Sequence, residues 1–270
     1  MIKQGGGTVS VVISIANQKG GVGKTTISLN LAYALARKGY DTLLIDIDPQ
    51  FNLTFALLGM DIMRYGENNI GELLIKNGVK REDVENATIK VDKNLHLIPS
   101  HLRVSAIERL LMTSYMREQR LRMVLEKVEH DYDFVLIDNP PSLGIFLINS
   151  LGASDCVLIP TELGYFSVMG VQLMLDVIEE IRGSGLNPEL EIMGIVANKF
   201  TRQSKVPQVR LDQLKEAYPD LPIVGILPRA VAVERSQEDG IPVFEFEPEN
   251  PVSKAFLKLA DEVVRRAKKE

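Results

Sequence analysis

A chain of 270 residues, 45% hydrophobic and 25% charged, has ordinary globular composition and enough length for one large α/β domain. No apolar run approaches the roughly 20 residues that span a bilayer, and the start Met1-Ile-Lys-Gln-Gly-Gly-Gly-Thr8 lacks a secretion signal's apolar core, which argues against a membrane-spanning or exported protein. The net charge of −5 argues against a uniformly basic surface but allows a local basic patch, and the single cysteine, Cys156, can form no intrachain disulfide, which fits a reducing cytoplasm. In chain order, strands are expected at 9–16, 42–46, 95–99, 134–138, 156–160, 192–198 and 223–227. Most are continuous Val/Ile/Leu runs, the pattern of parallel strands buried on both faces. Helices are expected at 25–38, with Gly39 as its C-terminal glycine, and at 116–129, 167–182, 206–218 and 251–269. The polar stretch 61–94 is the least regular, with short helices near 70–76 and 81–85. Strand–helix alternation predicts right-handed crossovers and a doubly wound, mostly parallel sheet flanked by helices. Cys156 sits in an apolar run and reads as a small buried hydrophobe.

The densest chemical signal follows the first strand. Residues Lys19 to Thr26 read K-G-G-V-G-K-T-T. The ordinary phosphate loop, G-x-x-x-x-G-K-[ST], has its first glycine where Gln18 stands here. Glycines occupy Gly20, Gly21 and Gly23 instead, and an extra lysine, Lys19, opens the run. Such a loop can turn backbone N–H groups inward around phosphate oxygens, because glycine accepts positive φ and close backbone approach. Thr25 and Thr26 begin the next helix, whose positive end faces the same anion. Lys24 would reach the β/γ-phosphates, and the Thr25 hydroxyl would hold Mg²⁺. The blander reading, a Gly-rich turn with two solvated lysines, leaves the flanking strand and helix unexplained.

In an open α/β sheet, ligands bind beyond the carboxyl ends of the strands. The second strand ends Leu43-Leu-Ile-Asp46-Ile-Asp48-Pro49-Gln50, and Pro49 breaks the strand there, so one carboxylate can face the γ-phosphate. The strand Phe134-Val-Leu-Ile-Asp138, followed by Asn139-Pro-Pro-Ser142, has the form of a Walker B strand, with Asp138 emerging beside Mg²⁺. Later strand ends, Val196-Ala-Asn198-Lys199 and Gly225-Ile-Leu-Pro228-Arg229, are candidates to hold the base; an Asn amide offers adenine both a donor and an acceptor.

The octet 19–26 resembles the deviant Walker A motif of the ParA/MinD superfamily of P-loop NTPases, and D-I-D-P-Q resembles the D-x-D-P-Q segment of ParA proteins. The resemblance runs from Ser10 to the C-terminus and fits the short, Soj-like type. The few residues before the first strand leave no room for a helix-turn-helix, so the expected organisation is a single ATPase domain over 1–270 with a short extension at 1–9. The resemblance implies an ATP-binding set of Lys19, Gly20, Gly21, Val22, Gly23, Lys24, Thr25, Thr26, Asn198, Pro228 and Arg229. It makes Lys19, Lys24 and Asp48 catalytic, Asp48 activating the attacking water, and assigns Mg²⁺ to Thr25, Asp46 and Asp138. Lys19 would cross to the phosphates of a second subunit; two lysines per triphosphate offset charge that would otherwise hold two nucleotide-bearing faces apart.

By the same resemblance, an ATP-bound homodimer binds duplex DNA without sequence preference. A ParB-like centromere-binding or adaptor protein stimulates hydrolysis, and the cycle drives chromosome or plasmid partition in the cytoplasm, on the nucleoid. Candidate DNA contacts are Arg202, Lys205, Arg235, Lys254 and Lys258. Three departures stand out. Phe51 replaces the glycine usual after D-x-D-P-Q, Ala232 stands where relatives tend to carry an arginine, and Pro160-Thr-Glu-Leu-Gly-Tyr-Phe-Ser167 departs from the usual P-x-Q-x-E-Y/F segment of the dimer face.

Rival readings are weighed on specific residues. A MinD-like membrane-cycling ATPase would need a C-terminal membrane helix; here Phe256, Leu259, Ala260, Val263 and Ala267 form one stripe, which reads as core-facing, so no stable membrane association is expected. An iron–sulfur carrier is opposed by the lone cysteine. A nucleotide-gated adaptor without turnover is opposed by the two carboxylates of D-I-D.

Overall fold

A computed structural model describes residues 10–201 and 205–268. The chain runs β1 (Val11–Ile15), α1 (Lys24–Arg37), β2 (Thr42–Asp46), α2 (Asn52–Leu58), a 3₁₀ segment (Gly59–Tyr65), α3 (Ile70–Ile75), α4 (Arg81–Ala87), β3 (Ile89–Asp92), β4 (Leu95–Ile98), α5 (Val104–Met112), α6 (Arg120–Leu125), β5 (Phe134–Asp138), α7 (Ile145–Ala153), β6 (Cys156–Glu162), α8 (Ser167–Gly183), β7 (Glu191–Phe200), α9 (Lys205–Ala217), β8 (Ile223–Pro228), α10 (Val231–Glu238), α11 (Val243–Phe246) and α12 (Pro251–Ala267). The strands form one sheet in the order β3-β4-β2-β5-β1-β6-β7-β8. Every pairing is parallel except β3–β4. The doubly wound α/β architecture expected from the strand–helix alternation is therefore what the chain adopts.

The continuous apolar runs are explained by burial on both faces. Ile13, Leu44, Leu136 and Leu158 join one cluster with α1 and α12. Their strand neighbours Leu43, Ile45, Val135 and Ile137 pack under α3, α5 and α6, and Val157 and Ile159 under α7, α8 and α9. The stripe of α12 is buried throughout in the first of these clusters. That is a core-packed last helix, and no helix among the described residues is long and apolar enough to cross a membrane. Cys156 is buried, and burial pushes its thiol up.

Gly39 has φ +92 just beyond α1, as expected of a C-terminal glycine. One sequence expectation needs correction. The helix expected over 116–129 is only α6: Met116 adopts φ +52, which ends any helix there, and a separate amphipathic helix, α5, precedes it. Within 61–94 both short helices form, and the additional strand β3 pairs antiparallel at the sheet edge.

Candidate nucleotide site

The carboxyl ends of β1, β2, β5, β6, β7 and β8 converge on one cavity of about 460 Å³. Its lining includes Gly20, Gly21, Gly23, Lys24, Thr25, Thr26, Asp48, Asn198, Pro228 and Arg229 of the expected set. The loop between β1 and α1 is shaped for an anion. Gly21 and Gly23 take φ +75 and +93, and nothing lies within 4 Å of where a side chain would start at Gly20 or Gly21. Three of its carbonyls are held by side chains. Asn198 Nδ2 donates to Val22 O at 2.8 Å, Lys199 Nζ to Gly21 O at 2.8 Å and Lys24 Nζ to Lys19 O at 3.3 Å. The loop's own entry is pinned by Asn17, whose Oδ1 accepts from Lys19 N and whose Nδ2 donates to Pro160 O. Carbonyls already engaged by these donors leave the loop's N–H groups as the groups for an anion.

Lys24 is buried at the head of α1. Burial lowers its pKa, opposed by Asp138 and Asp48. Asp138 is fully buried at the end of β5; its Oδ2 accepts from Thr25 Oγ1 and its Oδ1 from Ser28 Oγ, both at 2.8 Å. Burial pushes Asp138 up against those two hydrogen bonds. Among the described residues no three His, Cys, Asp or Glu side chains converge into a protein-only metal cage. A hard hydroxyl and carboxylate pair at a phosphate loop fits Mg²⁺, which takes one or two protein ligands and completes its shell with water and substrate phosphates.

The two aspartates of D-I-D-P-Q part company. Asp48 lines the cavity, and its Oδ1 accepts from Gln50 N at 2.9 Å. Burial raises its pKa, countered by that hydrogen bond and by Lys24. Asp46 is fully buried, does not line the cavity, and accepts on Oδ2 from the backbone N–H and the hydroxyl of Thr54 at 2.8 and 2.7 Å. Asn198 reaches the cavity, but its amide nitrogen is engaged with Val22 and its oxygen with Lys199 N. Lys19 and Val22 lie in the loop without lining the cavity.

Sequence reasoning missed part of the lining. Glu162 and Lys199, 3.4 Å apart, stand at the ends of β6 and β7. Val233, Glu234 and Gln237 present one face of α10, and Thr26 Oγ1 bonds Gln237 Oε1 at 3.2 Å. The available signal was their helical spacing just after Pro228-Arg229. Of the proposed DNA contacts, Lys254 and Lys258 join Arg229 in a groove of about 760 Å³ beside the edge strand β8, and Lys254 is paired with Glu249 at 2.7 Å. Lys205 and Arg235 are exposed elsewhere, and Arg202 lies outside the described residues.

A family model described as an AAA domain matches residues 10–192. The chromosome partitioning protein ParA of Caulobacter vibrioides is 36% identical over 94% of this chain and 94% of its own. The chain belongs to the ParA/MinD family of P-loop ATPases. An uncharacterized protein of Methanocaldococcus jannaschii is 55% identical to this ParA/MinD-type chain, over 96% of it and all of the relative. Among solved structures, cobyrinic acid a,c-diamide synthase of Mycobacterium smegmatis with bound ADP and magnesium superposes with a TM-score of 0.80 at 29% identity, covering 96% of each chain.

Proposed function

We propose that this ParA/MinD-type chain is a Mg²⁺-dependent ATPase and a dimerising switch that binds duplex DNA without sequence preference and drives DNA partition. The observation that carries the switch is the position of the two loop lysines. Lys24 lies inside the cavity, while Lys19, five residues earlier on the same loop, lies outside it. A loop lysine with nothing to neutralise in its own cavity is suited to a second subunit's phosphates. The cobyrinic acid synthase and the ParA relative support the nucleotide and the process respectively.

In this reading Lys24 and the loop N–H groups bind the phosphates, and Thr25 and Asp138 would hold Mg²⁺, which would supply charge neutralisation at the transferred phosphoryl group. Asp48 orients the attacking water and takes its proton. Val233, Glu234 and Gln237 flank the nucleoside with Pro228 and Arg229. The DNA surface is a local basic patch assembled across two subunits, since the chain is acidic overall and not uniformly basic. Its lysines and arginines meet phosphates, so binding weakens steeply with salt. A ParB-like partner stimulates hydrolysis and resets the cycle.

Lys19→Ala tests the reading. The variant should bind ATP like the wild type by calorimetry but remain a monomer in light scattering with ATP, and should fail to shift long duplex DNA. An ATP-dependent dimer of the variant would remove Lys19 from the interface.

A further inference from the structure

Asp48 is held by more than its own turn. Its N–H donates to Asp46 Oδ1 at 3.1 Å. Its carbonyl accepts from Ser100 Oγ at 2.7 Å and from Phe51 N at 2.9 Å. Ser100 N in turn donates to Thr54 Oγ1 at 2.9 Å, and Thr54 Oγ1 donates to Asp46 Oδ2 at 2.7 Å. The bonds close a ring, Asp46 to Asp48 to Ser100 to Thr54 and back to Asp46. Asp46, Thr54 and Ser100 have no exposed surface. The ring gathers three separate segments: the end of β2, the first turn of α2 and the residues that follow β4.

We infer that Thr54 and Ser100 are positioning residues for Asp48, acting through this ring to fix the direction of its carboxylate. The inference rests on the reading of Asp48 as the group that directs the attacking water. The two peptide planes flanking the Asp48 Cα are each anchored, one through N–H and one through C=O. That sets the Cα–Cβ direction. The side chain is then fixed about its own bonds by Gln50 N on Oδ1, and among the described residues Oδ2 accepts no hydrogen bond. One oxygen is therefore committed to the turn and the other is presented for chemistry. The Thr54 hydroxyl occupies the pivotal place, because it donates to Asp46 and accepts from Ser100 at once. Removing it leaves the buried Ser100 N–H without its acceptor; removing the Ser100 hydroxyl leaves the Asp48 carbonyl with Phe51 N alone. Asp46 acts in the same way: both of its oxygens serve this ring.

The experiment compares the full chain with Thr54→Val, which keeps shape and deletes the hydroxyl, Thr54→Ser, which keeps the hydroxyl, Ser100→Ala and Asp48→Ala. ATP affinity is read by calorimetry and chemistry by single-turnover phosphate release with saturating Mg-ATP. A displaced catalytic group of about 1 Å costs on the order of 100-fold. Thr54→Val and Ser100→Ala should therefore release phosphate roughly 10- to 100-fold more slowly, with ATP affinity within about threefold of wild type. Thr54→Ser should return to within about threefold of the wild-type rate, and the double variant Thr54→Val/Ser100→Ala should be little slower than the slower single, because both break one ring. Asp48→Ala should lie at the slow limit, about 10²- to 10⁴-fold down. If Thr54→Val proves poorly folded, Ser100→Ala carries the same comparison. Equal rates for Thr54→Val and Thr54→Ser, or wild-type rates in Ser100→Ala beside a slow Asp48→Ala, would overturn the ring and leave the Asp48 reading standing. A wild-type rate in Asp48→Ala would overturn that reading and this inference with it.

Discussion

Two loops leave the carboxyl end of the sheet, one after β1 and one after β2, and both turn through left-handed backbone. The phosphate loop does so at Gly21 and Gly23, with φ +75 and +93. The loop after β2 does so at Phe51, with φ +45 and ψ +30, directly before α2. Glycine enters that region without steric penalty, whereas an L side chain pays about 1–2 kcal/mol for it. The first loop is shaped by residues that permit the turn and is then steadied by donors from β7. The second is shaped by hydrogen bonds that impose the turn on a residue that resists it. Phe51 N on the Asp48 carbonyl and Phe55 N on the Phe51 carbonyl hold it from both sides. The difference teaches where each loop can tolerate change: the phosphate cradle depends on the absence of side chains, the Asp48 turn on the presence of particular ones.

The hardest way to break the first loop is to remove its inward charge. Lys24→Ala deletes the buried ammonium that faces the cavity. Truncating one partner of a desolvated charge pair costs about 2–5 kcal/mol, roughly 30- to 3,000-fold in affinity. Calorimetry with Mg-ATP should show that loss; an affinity within about threefold of wild type in the variant would mean that this cavity is not the phosphate site.

The glycine side of the comparison is sharpened by Gly23→Ala. A methyl group there would stand 2.1 Å from Asn198 Nδ2, and the φ of +93 is strained for any L residue. Asn198 could swing away only by releasing Val22 O, which undoes one of the bonds that hold the loop's carbonyls. Backbone strain of about 1–2 kcal/mol corresponds to roughly a 5- to 30-fold loss of ATP affinity. Gly20→Ala meets neither positive φ nor a neighbour in the protein, so in the nucleotide-free chain it should leave the melting temperature unchanged. A fall in stability as large as that of Gly23→Ala would show that the cradle's shape does not rest on the positive-φ glycine.

How much of this was legible in the sequence follows from the same physics. The phosphate loop was readable because its residues are contiguous and each has a stated mechanical task. The strands β2 and β5 were readable to the residue, since double-sided burial leaves an uninterrupted apolar run with a terminal aspartate. The strand β3 was not: Ile89-Lys-Val-Asp92 is short, half-buried and at an edge, and it lies in a polar stretch. Helix α7 escaped for the opposite reason, because Ile145 to Ala153 is buried nearly all round and has little amphipathic period. The wall of the cavity formed by α10 left only a weak trace, its helical spacing after Pro228-Arg229, because it becomes a site only when Thr26 meets Gln237, far along the chain. The ring behind Asp48 was invisible likewise, since Thr54 and Ser100 are ordinary residues until β4 brings them together.

The smallest effect tests the other half of the comparison, the strained turn at Phe51. Phe51→Ala and Phe51→Gly both delete the half-buried ring, so the difference between them isolates the backbone. At an ordinary φ, alanine is the more stable of the two by about 0.5–1 kcal/mol, because glycine leaves the unfolded chain with more freedom. At φ +45 the order should reverse, since alanine keeps the left-handed penalty of about 1–2 kcal/mol and glycine sheds it. The net expectation is that Phe51→Gly is the more stable variant by about 0.5–1 kcal/mol in urea unfolding, with the same dependence on denaturant for both. ATP affinity should be equal in the two, because Phe51 does not line the cavity. If alanine were instead the more stable, the turn in solution would not hold Phe51 in the left-handed region, and the hydrogen bonds around Asp48 would not be imposing it.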